Sequence, residues 1–132
     1  MALGFATGLR NARADAITTF AGGSAKFRIY SGTRPATGAA LSGNTLLAEL
    51  TANSTFAAAA SNGVLTLNAI ADDTAADATG TAAWFRLVKS DNTFVLDGNV
   101  AASGSDLNLN TTSIVANATV SITSFVITEG NG

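Results

Sequence analysis

The apolar residues of the first twenty positions recur at helical spacing. Phe5, Leu9, Ala12, Ala16, Ile17 and Phe20 gather onto one face. Thr7 is placed to cap the start of this helix, and Gly22-Gly23 to end it. The apolar arc is expected to face the core, and Arg13 lies inside it. Two roles fit that arginine: its stem lies along the core edge with its head in water, or the face is partly open and Arg13 reaches a partner.

From Ala25 the period changes to two. Ala25, Phe27 and Ile29 alternate with Lys26, Arg28 and Tyr30, the pattern of a half-buried strand. A long loop follows over 31–44, carrying Pro35, the single proline. Residues 45–51 read as a second strand and 56–60 as a third. Ser61-Asn62-Gly63 turns the chain, because Asn-Gly tolerates the positive φ of a tight hairpin. Val64, Leu65 and Leu67 open a fourth strand running toward Ile70, and 71–80 is a polar loop. Over 81–90, Ala83, Phe85 and Leu87 share one face, with Trp84, Arg86 and Val88 on the other; Asp91-Asn92 is another hairpin turn. Phe94, Leu96, Gly98 and Val100 fall on one face, which leaves Asp97-Gly98 as either a bulge or a turn. Residues 106–110 form a short alternating strand. The closing run 118–128 reads as a long strand, with a register shift expected near Ser124.

One helix is thus followed by eight or nine short strands, with no strand–helix–strand alternation to suggest a parallel sheet. The expected fold is all-β: a jelly-roll-like antiparallel β-sandwich with an N-terminal α-helix packed across one face or an open end. The chain reads as one domain, with a helix or arm over 1–22, the sandwich over 24–128 and a tail over 129–132.

Composition narrows the role. The 132 residues are 47% hydrophobic and 12% charged, which excludes a disordered chain. Much of the apolar share is alanine, which buries little area. Part of the stability is therefore expected from neighbours, as a homodimer or homotrimer. A net charge of −2 argues against a nucleic-acid partner. The charge is uneven, however: Arg10, Arg13, Lys26, Arg28 and Arg34 come first, and all acids but Asp15 lie from Glu49 onward. This is either scattered solvated charge or a basic patch. On the second reading Arg10, Arg13 and Arg34 are candidate partner contacts. Neither a secretory signal nor a membrane span is expected, because charges interrupt every apolar run short of the ~18 residues a span needs.

The same inventory restricts chemistry. With no histidine and no cysteine, Ser-His-Asp and Cys-His catalysis and the usual zinc ligand sets are excluded. Carboxylates, Lys26, Lys89 and Tyr30 remain for acid–base work, without a convincing pairing. Asp72, Asp73 and Asp77 lack the spacing of a calcium loop and read as a solvated loop. Trp84, the only tryptophan, reads as a sheet-face packing residue or as part of an oligomer contact. No catalytic, metal or cofactor-binding residue is expected.

The segments LRNARADAITTF (9–20), FRIYSGTRP (27–35), LLAEL (46–50), TGTAAWFRLV (79–88), DLNLNTTSI (106–114) and VSITSFVITEGNG (120–132) resemble a family of small virion proteins of tailed bacteriophages. The resemblance runs in matching order over nearly the whole chain. Leu9-Arg10-Asn11-Ala12-Arg13 and Arg28-Ile29-Tyr30-Ser31-Gly32 are its more specific parts. It implies a structural protein of the virion, here expected to be a capsid decoration or cement protein that clamps major capsid protein subunits on the outer shell. A tail, head-fibre or baseplate component is the alternative within the virion, and a carbohydrate-binding β-sandwich the alternative outside it.

Overall fold

The computed structural model describes residues 3–129. The first two residues of the expected helix or arm, and 130–132 of the expected tail, lie outside them. Helix α1 spans Thr7–Ala21. Its N-cap is Ala6 in an extended conformation with no side-chain cap, so Thr7 is the first helical residue rather than the cap. Gly22 ends it at φ 71°, donating its N–H to the Thr18 carbonyl at 3.1 Å.

The inner face of α1 keeps Ile17 of the expected one but turns Leu9, Ala12, Ala16 and Phe20 outward. Ala14 and Ala21 are buried, flanked by half-buried Arg10, Asn11, Ile17 and Thr18. Leu9 and Phe20 are 49% and 51% exposed, with exposed Ala12 and Ala16 between them. The physical reason is that polar side chains, described below, hold the helix to a hairpin. The two buried alanines allow the close approach.

Among the described residues nine strands follow: β1 (Lys26–Tyr30), β2 (Leu46–Thr51), β3 (Val64–Thr66), β4 (Gly80–Thr81), β5 (Trp84–Val88), β6 (Phe94–Ala101), β7 (Leu107–Leu109), β8 (Ser113–Ile114) and β9 (Ile122–Thr128). Seven make one sheet in the order β2-β1-β5-β6-β7-β9-β3, and β4 pairs with β8 apart from it. The sheet is strongly curled. Four strand spacings separate β1 from β9, about 19 Å if flat, yet the rings of Phe27 and Phe125 meet edge-to-face with centroids 5.2 Å apart. Phe85 meets Phe125 at 5.4 Å in the same way. The concave face encloses an aromatic centre of Phe27, Phe56, Phe85 and Phe125, ringed by buried leucines.

Turn chemistry behaves as the sequence requires. Asn62 and Gly63 adopt φ 52° and 75°, and Ser61 and Val64 exchange both backbone bonds. The register shift expected near Ser124 is present: Asn108 opposes Ser124 while Leu109 opposes Ile122, leaving Thr123 as the extra residue.

Other expectations need correction. All pairs are antiparallel except β6 with β7, which is parallel. Asp97-Gly98 is neither bulge nor turn. Leu87 opposes Leu96 and Val88 opposes Phe94, so Val95 is the extra residue. Gly98 pairs with Phe85, whose ring lies over it; a Cβ there would stand 2.5 Å from the ring. The third strand expected at 56–60 is reduced to a bridge between Ala57 and Leu67, alanines giving little cross-strand packing. Part of the expected polar loop 71–80 instead lines the outer edge of β2, Ala71 donating to the Thr51 carbonyl and Asp77 to that of Leu47. Asp73 and Val120 pair beyond it, so 71–77 joins β2 to the segment leading into β9.

Candidate functional site

Helix α1 is fastened to the β3 hairpin by side chains that bond backbone. Arg10 donates from Nε to the Glu129 carbonyl at 2.9 Å and from Nη2 to the Asn62 carbonyl at 2.7 Å. Asn11 Oδ1 accepts from the Gly63 N–H at 2.8 Å, and Asp15 Oδ1 from the Ala60 N–H at 2.7 Å. Gly63 has no room for a side chain, since a Cβ would stand 2.6 Å from both Arg10 Nη2 and the Glu129 carbonyl oxygen. Glu129 closes the junction by donating its N–H to Gly63 and placing Oε2 3.1 Å from Arg13 Nη2. The Arg13 guanidinium also lies 5.2 Å from the Phe5 ring centroid. Arg10 therefore positions the helix, while Arg13, with 47% of its side chain exposed, stands at the rim.

A second arrangement lies on the convex face. Tyr30 and Trp84 stack at 4.7 Å, and the Arg86 guanidinium sits between the rings of Trp84 and Phe94, 5.3 and 5.2 Å from their centroids. Arg86 binds Asp97 through two bonds, 2.7 and 2.9 Å, with side chains 12% and 1% exposed. The Asp97 hydrogen bond holds the Arg86 pKa above its ordinary value, against the opposing effect of burial. Asp97 Oδ2 also accepts from the Gly38 N–H at 3.0 Å, pinning the long loop. Farther along that loop, Asn44 donates to the Ser31 and Thr33 carbonyls and accepts from the Ser42 N–H.

The four residues singled out from sequence thus separate. Arg10 and Arg13 meet at Glu129. Arg34 is exposed on the pinned loop and shares no hydrogen bond or ion pair with them. Trp84 is 0% exposed, and its Nε1 finds no partner. It packs the sheet face and offers no surface to an oligomer contact, correcting its candidacy. Asn11, Asp15 and the Arg86–Asp97 pair escape a reading based on apolar periodicity. Their signal is polarity beside a buried alanine in one case and beside a tryptophan in the other.

Among the described residues no cluster of three or more His, Cys, Asp or Glu could hold a metal. Asp73 accepts from the Glu49 and Ala75 N–H groups. Burial first, then the charges of Asp73 and Glu49, raises the Asp77 pKa. No helix among the described residues is long and apolar enough to cross a membrane. No protein-family model, curated protein or solved structure matches this chain.

Proposed function

We propose that this chain is a structural protein of a tailed-bacteriophage virion, a decoration protein that bridges major capsid protein subunits on the outer shell. The observation that carries the reading is the outward face of α1. Leu9, Ala12, Ala16 and Phe20 form an apolar stripe on solvent, on a helix fixed in place by four side-chain bonds to backbone. An amphipathic helix laid into a partner's groove uses anchors at this spacing. The pinned loop supports the reading by presenting Arg34 and the 45%-exposed Leu41 in a set conformation. A rigid body loses little conformational entropy on docking.

The resemblance described above supplies the virion setting. On this reading the curled sheet and the strip through 71–77 form a jelly-roll-like β-sandwich, which docks as a homodimer or homotrimer. It acts without enzymatic activity, cofactor, nucleic acid or membrane, after synthesis in the host cytoplasm. A ligand of the assembled shell alone stabilises each site by about 2.7 kcal/mol at a hundredfold excess over Kd, and a shell repeats its sites many times.

Particles prepared with and without the protein are to be heated and their genome release compared. Earlier release without the protein is expected, and its replacement by a Leu9→Ser, Phe20→Ser variant should restore less protection. Equal release curves, or labelling confined to the tail, would overturn the reading; the second outcome would make the protein a tail component.

A further inference from the structure

Strand β9 changes partners halfway. Ile122–Phe125 lies against β7, and Val126–Thr128 lies against β3 on the opposite edge. Strand β6 is paired with β5 from Phe94 to Asn99 but meets β7 only at Val100 and Ala101. The sheet therefore has a gap in line with β7, bounded by Leu96–Asn99 of β6 and Val126–Thr128 of β9. Among the described residues no strand lies in it. A cleft of about 290 Å³ occupies this place, lined by Leu96, Asp97 and Gly98 on one side and Phe125 to Thr128 on the other.

Both walls present backbone. The Val100 N–H points to the Ala83 carbonyl of the β5 side, so alternation turns the N–H and C=O of Asp97 and Asn99 toward the gap. The Glu129 N–H points to Gly63 on the β3 side, so Val126 and Thr128 likewise face the gap. Two of these donors have acceptors: Asn99 N–H bonds the Asp106 carboxylate at 2.9 Å, a side chain standing where a ladder carbonyl would, and the pairing of Leu107 with Phe125 sets Val126 N–H against the Asp106 carbonyl. Beneath the gap, Leu96 and Ile127 pack on the core but stay only partly buried.

We propose that this gap is a strand-acceptor site for an extended segment of a different polypeptide. The gap-facing backbone of Asp97 on one wall and of Thr128 on the other fits an extended peptide, which can bond both. The distance from Leu96 to Asn99 takes about four residues at ~3.3 Å each. Alternate apolar side chains would cover Leu96 and Ile127. The segment comes from another protein because this chain's own apolar strands are already paired, and Phe5 of the extended lead-in to α1 packs with Arg13.

The probe is an octapeptide of alternating valine and threonine, added to the full chain and followed by amide hydrogen exchange. The slot-facing amides of Asp97 and Thr128 should slow by about tenfold or more at saturation. The same peptide N-methylated at alternate residues, lacking the donors for one wall, should not protect them. Unchanged exchange at both amides, equal protection by the methylated peptide, or protection confined to α1 would each overturn the proposal. Protection that grows with protein concentration in the absence of peptide would replace the foreign segment with a second copy of this chain. None of these outcomes depends on the protein's place in a virion.

Discussion

The α1 junction and the aromatic centre hold the same fold by opposite means. At the centre, Phe27 contacts the rings of Phe56, Phe85 and Phe125, and all four are almost fully buried. At the junction the helix buries only Ala14 and Ala21, and the fastening is four hydrogen bonds from side chains to backbone. Burial of large apolar area is strong and tolerant of direction; hydrogen bonds contribute less but fix an angle. The centre therefore supplies stability, and the junction supplies the orientation that points Leu9 and Phe20 outward.

The hardest way to break this contrast is at the centre. Phe27→Ala removes the ring that joins β1 to β9 across the curl. A loss of about 3–5 kcal/mol is expected, as for other large-to-small aromatic changes in cores. Urea denaturation measures it, and a loss below about 1 kcal/mol would mean that the curl is held elsewhere.

Next comes the convex face, which mixes the two modes. Asp97→Ala leaves Arg86 charged between two rings with most of its side chain out of water, and frees the Gly38 N–H. The expected cost is about 2–4 kcal/mol, less than for a fully buried pair because Arg86 can still reach solvent. The same variant should expose the 31–45 loop to limited proteolysis. Wild-type stability together with an intact loop would contradict the role assigned to Asp97.

The contrast also explains what could be read from the sequence. Strand β1 and the Asn62-Gly63 turn were legible because period two and positive φ are local properties. The orientation of α1 was not, because its docking surface is polar. Arg10, Asn11 and Asp15 look like a solvated face until the hairpin carbonyls and amides that receive them are in place. The alanines obscured it further: Ala12 and Ala16 face water while Ala14 and Ala21 are buried, and hydrophobicity alone cannot separate them. Trp84 misled for a related reason. Period two placed it opposite Phe85, but the stacking of Tyr30 from β1 and the Arg86 guanidinium that lie against it come only with the folded sheet.

At the junction itself the expected changes are smaller. Asn11→Ala should lower global stability by about 1 kcal/mol, since the Gly63 N–H it leaves can in part be met by water. The informative readout is local: α1 amides should exchange faster while those of β1 and β5 keep their protection. Equal acceleration throughout would mean that helix and sheet unfold as one unit and that the two regions are not separable.

The smallest effect is expected from Asp77, which belongs to neither region. Its carboxyl is raised above the ordinary 3.8 by burial and by the neighbouring charges of Asp73 and Glu49. A raised carboxyl means that the folded state holds its proton more tightly than the unfolded state. Stability therefore falls as pH rises from the unfolded value through the raised folded one. Above that window the ionised Asp77 opposes folding; below it the opposition is gone. Asp77→Asn removes the charge but leaves the backbone N–H that bonds the Leu47 carbonyl. At pH 7 the variant should melt at or slightly above wild type, within the roughly 0.5 kcal/mol typical of surface changes, because Asp77 is largely exposed. The difference should close as pH falls below the ordinary carboxylate value. A variant less stable at pH 7 than at pH 3, relative to wild type, would show that the Asp77 charge helps to hold 71–77 against β2.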